Sequence, residues 1–174
     1  MANEQWDMLS FEHGCLAVVA RGDRLVRICF ACSADEISAA IKTSYPDAKQ
    51  SRQPLTTECL KQLREYFLGK RRIFDVPLGD DSLTPFACRV HQALLKVPYG
   101  SVVSYGQLAA MAGSPKAARA VGRVMSSNPF PLIVPCHRVV NADGRIGQYS
   151  AAQGTKTKVW LIEFERERAG GTSP

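Results

Sequence analysis

Ser104-Tyr105-Gly106-Gln107-Leu108-Ala109-Ala110-Met111-Ala112-Gly113-Ser114-Pro115-Lys116-Ala117-Ala118-Arg119-Ala120-Val121-Gly122-Arg123-Val124-Met125-Ser126-Ser127 divides at Gly113-Ser114 into two short segments of helical character. Ser104 suits an N-cap and opens a helix expected to reach Met111. Pro115 suits the first position of a second helix, expected to run to about Ser127. Two short helices about a tight glycine-containing turn make a helix-turn-helix. The second segment is rich in small residues, Ala117, Ala118, Ala120 and Gly122, while Val121 and Met125 mark a side that faces a core. A small-residue face either packs tightly on a neighbour or lets the helix approach another macromolecule closely. On the N-terminal side, Thr84 and Pro85 open a helix to about Lys96, with Phe86, Val90, Leu94 and Val97 at near-helical spacing. On the C-terminal side, residues 155–168 read as a closing helix.

Residues 1–82 have a different texture. Apolar or β-branched runs at 6–11, 15–20 and 24–30 are separated by His13-Gly14 and Gly22-Asp23, which reads as an antiparallel meander. Ser33-Ala34-Asp35-Glu36 is a capping-box signature for a helix to about Thr43. A second helix is expected over 55–68, stopped by Gly69. Phe74-Asp75-Val76-Pro77 is expected to add an edge strand, and Asp80-Asp81-Ser82 to form the linker. The fold class expected is an α/β (α+β) N-terminal domain with a small antiparallel sheet, residues 1–82. A mostly helical, helix-turn-helix (winged-helix-like) domain follows over 83–174, with 169–174 as a loose tail.

Charge separates the halves as sharply as pattern does. The net charge is +6. Residues 1–84 carry 11 Lys/Arg against 12 Asp/Glu, net −1, whereas residues 85–174 carry 11 against 4, net +7. Between Ser82 and Ala142 there is no carboxylate, while Arg89, Lys96, Lys116, Arg119, Arg123 and Arg138 are present. A long acid-free basic stretch suits a polyanionic partner. No run approaches the roughly 18 apolar residues of a membrane span, so no membrane partner is expected. Met1-Ala2-Asn3-Glu4-Gln5 lacks the basic and apolar parts of a signal peptide, and a cytoplasmic location is expected, nuclear in a eukaryote. Six cysteines (15, 29, 32, 59, 88, 136) form no regular framework and read as reduced thiols. His13, Cys15, Cys29 and Cys32 are zinc-ligand types, but they lie near strands whose neighbouring side chains alternate faces. No metal and no cofactor are expected.

Chemistry concentrates in Pro135-Cys136-His137-Arg138-Val139-Val140. The apolar run Leu132-Ile133-Val134 delivers the cysteine and Asn141-Ala142-Asp143-Gly144 turns the chain away, which places a soft nucleophile at the end of a buried segment facing an opening. A free thiol near its reference pKa is only slightly ionised at neutral pH, so a basic setting is what makes a cysteine reactive. A cysteine hydrolase also needs Cys and His. In an extended segment, however, sequence neighbours point apart, and Cys136 and His137 are then poorly placed for direct pairing.

Together with Val97-Pro98-Tyr99-Gly100, the helix-turn-helix stretch, Ser127-Asn128-Pro129 and Gly147-Gln148-Tyr149-Ser150, this hexapeptide closely resembles the O6-alkylguanine-DNA alkyltransferases, the methylated-DNA–protein-cysteine methyltransferases of direct repair. The resemblance is dense from about Phe86 to Glu165. It implies single-turnover transfer of an alkyl group from O6 of guanine, with O4 of thymine as a further substrate, in double-stranded DNA to Cys136. It implies an N-terminal domain of ribonuclease H-like type, a monomer, and docking of the second helix in the minor groove. Arg119 matches the residue that enters the stack in place of the flipped nucleotide, with Ser104, Ala118, Gly122 and Arg123 as further DNA contacts.

In the same resemblance His137 takes the thiol proton through a water and a glutamate holds the histidine. Helical spacing does not choose between Glu163 and Glu165; the motif Trp160-Leu161-Ile162 with a glutamate three residues later favours Glu165. Tyr105 matches the donor to guanine N3, and Asn128 the brace beneath the site. The carbonyls of Cys136 and Val139 match acceptors from the guanine amino group, and Tyr149 and Ser150 match the lid. Relatives usually carry Gly-Gly where this chain has Ala151-Ala152, and the segment 153–158 is about two residues longer than expected. Two added methyl groups narrow the conformations open to the loop. The alternative within the same architecture is a protein that binds alkylated DNA without repairing it, which lacks the acceptor cysteine.

Overall fold

The computed structural model describes residues 4–79 and 82–170. Two of the expected linker residues, Asp80 and Asp81, and the tail residues 171–174 lie outside the described residues. The chain forms two compact units, Met1–Asp81 and Ser82–Pro174.

In the first unit β1 (Glu4–Phe11), β2 (Gly14–Arg21) and β3 (Arg24–Ala31) form the antiparallel meander. Leu16, Ala17, Val18 and Val19 of β2 are all fully buried, because β2 is an inner strand covered on both faces. On one face Trp6, Cys15, Ala17, Val19 and Val26 pack with Ile37 and Ile41 of α1 (Ala34–Ser44). On the other lies α2 (Pro54–Phe67), whose Phe67 stacks on Phe11 of β1 with ring centroids 4.3 Å apart. Ser33 caps α1, its Oγ accepting from Glu36 N at 3.2 Å.

The edge of this sheet differs from the sequence reading. The fourth strand is β4 (Lys49–Gln50), which runs parallel to β1 and gives the order β3-β2-β1-β4. Residues 74–77 form no strand; an isolated bridge joins Leu78 to Leu25 instead. Pro77 contributes only its carbonyl there, accepting from Leu25 N at 2.9 Å. Proline has no N–H to extend a ladder. Cys15 and Cys29 both turn to the α1 face, and among the described residues no group of three or more His, Cys, Asp or Glu side chains is placed to hold a metal ion.

The second unit is built from helices and one short ladder. Thr84 caps α3 (Pro85–Leu94), its Oγ1 accepting from Ala87 N at 3.1 Å; the helix stops two residues short of Lys96. The helix-turn-helix is α4 (Tyr105–Met111) and α5 (Ala118–Ser126). Ser104 and Gln107 form a reciprocal capping box at the start of α4, which satisfies two N–H groups that the helix leaves without partners. Gly113 ends it at φ +74°, a left-handed conformation that favours glycine. The second helix begins three residues later than Pro115. Ala117 N donates to Ser114 O at 2.9 Å, closing a turn, and the first α-helical bond runs from Val121 N to Ala117 O. Two-residue strands β5 (Val103–Ser104) and β6 (Val139–Val140) pair in parallel and tie the start of α4 to the segment after Cys136. The closing helix is α6 (Thr155–Ala169). No helix among the described residues is long and apolar enough to cross a membrane.

Candidate active site

Residues 130 and 132–140 are all buried, so the segment carrying Cys136 needs internal partners for its backbone. Asn128 supplies two. Its Nδ2 donates to Val134 O at 2.8 Å and its Oδ1 accepts from Phe130 N at 3.0 Å. Leu132 sits at φ +75°, costing roughly 1–2 kcal/mol for a residue with a Cβ. That strain is held in place by burial of the Leu132 side chain, which is 1% exposed.

Cys136–Arg138 is a single 3-10 turn, not extended chain. Arg138 N donates to Pro135 O at 2.9 Å, and Cys136 O accepts from Val139 N. The turn separates the Cys136 side chain from the two that follow it. Cys136 lines a cavity of about 460 Å³ with Tyr105, Arg119, Arg123, Tyr149 and Ser150. His137 and Arg138 turn instead toward α6.

There Glu165 is the hub, and burial decides the choice that helical spacing left open: Glu163 is exposed and Glu165 buried. Glu165 Oε1 lies 2.8 Å from His137 Nε2 and accepts from Arg138 Nη2 at 2.9 Å. Glu165 Oε2 accepts from Arg138 Nε at 2.9 Å and from Gly100 N at 3.0 Å. Gly100 is at φ +78°, and a Cβ there would meet Ala169 Cβ at 2.5 Å, so only glycine brings this N–H so close to α6. Hydrogen bonds to His137 and Arg138 hold the Glu165 carboxyl well below the usual carboxylate range, against the opposing effect of its burial. An ionised carboxylate only accepts, so His137 Nε2 carries the hydrogen. Burial lowers the His137 pKa, Glu165 opposes that, and Arg138 and Lys158 reinforce it. The imidazole is therefore neutral at pH 7, and its buried Nδ1 has no hydrogen-bond partner among the described residues.

The thiol does not sit in a setting that ionises it at rest. Burial pushes the Cys136 pKa up, and Asn128, Lys158 and Tyr149 pull it only partly back. A base must take the proton as sulfur reacts. Tyr149, also raised by burial, turns its buried hydroxyl into the same cavity.

Of the other residues singled out in sequence, Arg119, Gly122 and Arg123 of α5 line the cavity mouth, with both arginines exposed. Ser104 and Ala118 lie outside it, as helix cap and first residue of α5. Val139 is wholly buried in β6. Six lining residues were not singled out as site residues in sequence: Met125, Ser126, Asn141, Gly147, Gln148 and Lys158. Gly147 lies between Tyr105 and Asn141: a Cβ there would be 3.3 Å from the Tyr105 hydroxyl and 3.7 Å from Asn141 Oδ1. Lys158 is 1% exposed, with Nζ 5.8 Å from the Tyr105 ring centroid. A lysine seven residues before Glu165, on the same apolar stripe of α6, was the available signal.

Known proteins share this arrangement. Residues 85–167 match the family model described as 6-O-methylguanine DNA methyltransferase, DNA binding domain, and residues 5–79 match the ribonuclease-like domain of the same family. The chain belongs to the 6-O-methylguanine DNA methyltransferase family. The constitutive methylated-DNA–protein-cysteine methyltransferase of Bacillus subtilis is 37% identical over 153 residues, covering 88% of this chain and 90% of the relative. The mouse methylated-DNA–protein-cysteine methyltransferase is 57% identical over 122 residues, 65% of this chain and 56% of the relative. Among solved structures, Mycobacterium tuberculosis OGT in complex with DNA superposes with a TM-score of 0.78 at 34% identity, covering 94% of each chain. Membership of this family makes the protein a methyltransferase with a mixed α/β N-terminal domain and a helical C-terminal domain.

Proposed function

We propose that this protein repairs alkylated double-stranded DNA by taking the alkyl group from O6 of guanine onto Cys136 in a single turnover. The observation that carries this reading is the placement of Cys136 on the floor of a cavity whose mouth is formed by Arg119 and Arg123 of the helix-turn-helix. A mycobacterial relative that covers nearly the whole chain has been solved with DNA. The sulfur lone pair forms the S–C bond as the C–O6 bond breaks, and the bonding pair leaves with the base. The thiol proton passes through a water to His137 Nδ1, the one acceptor that Glu165 leaves open. Tyr105 gives its hydroxyl proton to guanine N3 and is reprotonated from the His137 imidazolium through water, so the net reaction moves the thiol hydrogen to the base and the alkyl group to sulfur. A thioether offers water no leaving group, so the protein is consumed.

A cysteine on a cavity floor reaches only a base taken out of the stack. In this reading α5 lies in the minor groove, Arg119 fills the gap left by the flipped nucleotide, and Arg123, Ser104, Ala118 and Gly122 meet the backbone. Tyr149 and Ser150 close over the base, the carbonyls of Cys136 and Val139 accept from the guanine amino group, and Asn128 holds the turn that carries Cys136. O4-alkylthymine presents the same alkyl–oxygen bond and is a second substrate. All the residues come from one chain, so a monomer suffices, acting wherever the DNA is: the cytoplasm of a prokaryote or the nucleus of a eukaryote.

Mass spectrometry of the intact chain after incubation with a duplex containing O6-methylguanine tests this. The expected result is one added methyl per chain, located on Cys136 and lost in Cys136→Ala. Methyl transfer by the alanine variant, or tight binding of the lesion with no mass gain by the unaltered chain, overturns it; the latter identifies a lesion-binding protein that does not repair.

A further inference from the structure

Arg138 is buried, 6% exposed, and every hydrogen bond it makes is internal: two to Glu165 and one from Nη1 to Val97 O at 2.8 Å. Its guanidinium also lies 5.7 Å from the Tyr99 ring centroid. Neither Arg138 nor the charge balance of this cluster has a part in the reaction written above. A buried cation bears a large desolvation cost unless it is paired, and the pairing here is specific. The guanidinium forks across both oxygens of the carboxylate that holds His137, sharing Oε1 with Nε2.

Counting charge shows what the fork does. Arg138, ionised Glu165 and neutral His137 sum to zero. A proton on His137 would leave a net +1 in the interior, with Lys158 a further positive group facing it from α6. Without Arg138 the count reverses: Glu165 and neutral His137 leave −1, and a proton on the imidazole restores neutrality. An imidazolium at rest carries hydrogen on both nitrogens and accepts nothing. The charged groups that face His137 are Arg138 on its own turn and Glu165 and Lys158 on α6, and of the two cations Arg138 is the one that bonds the carboxylate oxygen holding the imidazole.

We propose that Arg138 is a positioning residue that sets the resting proton state of His137: by neutralising Glu165 it keeps the imidazole uncharged, with hydrogen on Nε2 and Nδ1 open to the thiol proton. The inference rests on the proposed reaction, but its tests separate the two. Methyl transfer by the unaltered chain decides the reaction; the pH dependence of Arg138 variants and the titration of His137 decide the role of Arg138.

In Arg138→Met the acid limb of the pH–rate profile for methyl transfer moves up by about one to two pH units. At pH values below the shifted midpoint the rate falls about ten-fold for each unit of the shift, and it recovers in alkali. Arg138→Lys restores the positive charge and returns the limb toward its original position. A loss of rate equal at every pH, in both variants, shows a merely structural arginine and overturns the proposal. Should the methionine variant fail to fold, nitrogen NMR of His137 in the unaltered full-length protein decides between the two roles. A neutral Nε2–H imidazole with its midpoint below the ordinary value of about 6.5 supports the positioning role, and a midpoint above it overturns it.

Discussion

The first unit fully buries no charge among its described residues: the ion pairs Arg21–Glu4, Arg24–Asp23 and Lys61–Glu58 all have an exposed partner, Arg71–Glu65 is half-buried, and its buried polar side chains are the uncharged Thr56 and Gln62. The second unit buries Arg138, Lys158 and Glu165 together with His137. Among the described residues, every buried charged side chain belongs to the unit that carries Cys136. Apolar packing alone gives a stable interior, so burying charge is a cost that stability does not require. In this molecule the cost falls where a proton has to be held and released. The neutral imidazole and the protonated thiol are both consequences of the same burial.

Glu165→Gln is the strongest way to break the contrast. It leaves Arg138 buried without its anion, and a loss of about 3–5 kcal/mol is expected, read from urea unfolding at pH 7. The pH dependence carries the sign. The folded-state pKa of Glu165 is depressed, so its stabilisation is present above the unfolded value of about 4.3 and is lost as pH falls below it. The gap between the original and Gln variants should therefore narrow on acidification; a gap constant with pH would show that the carboxylate charge is not what stabilises the cluster.

Ile37→Ala probes the other kind of interior. Ile37 is wholly buried against Trp6, Ala17 and Val19, and a cavity there is expected to cost about 2–4 kcal/mol. No carboxylate, imidazole or basic side chain belongs to that cluster, so the loss should be flat across neutral pH, and methyl transfer by folded protein should keep its rate. A pH-dependent loss would blur the distinction between the units.

The smallest effect is in the lid. Ala152 adopts φ +46°, a left-handed conformation that disfavours any residue with a Cβ. Ala151 is not at positive φ, so of the two alanines Ala152 is the strained one. Ala152→Gly relieves strain while adding freedom to the unfolded chain, and a net gain below about 1 kcal/mol is expected by thermal unfolding. Destabilisation would mean that Ala152 packing outweighs its backbone strain.

Local rules made much of this protein legible before any coordinates. The caps Ser33, Thr84 and Ser104, the turn at Gly113, the three-strand meander and the position of Cys136 are set by residues within a few places of one another. The sequence determined these because capping, turn geometry and strand alternation are short-range. The expected strand at 74–77 and the helix start at Pro115 failed where a local signal met a competing bond, at Leu25 and at Ser114. Helical spacing left Glu163 and Glu165 open and the motif at Trp160-Leu161-Ile162 favoured Glu165; the tertiary structure puts Glu165 against His137, 28 residues away, and leaves Glu163 exposed. It alone brought Gly100 and Arg138 to the same carboxylate and turned Lys158 and Asn141 into the cavity. The reason is physical. A proton's place depends on burial and on charges within a few ångströms, and those distances are set by how α6 lies against the Cys136 turn, which no spacing along the chain encodes.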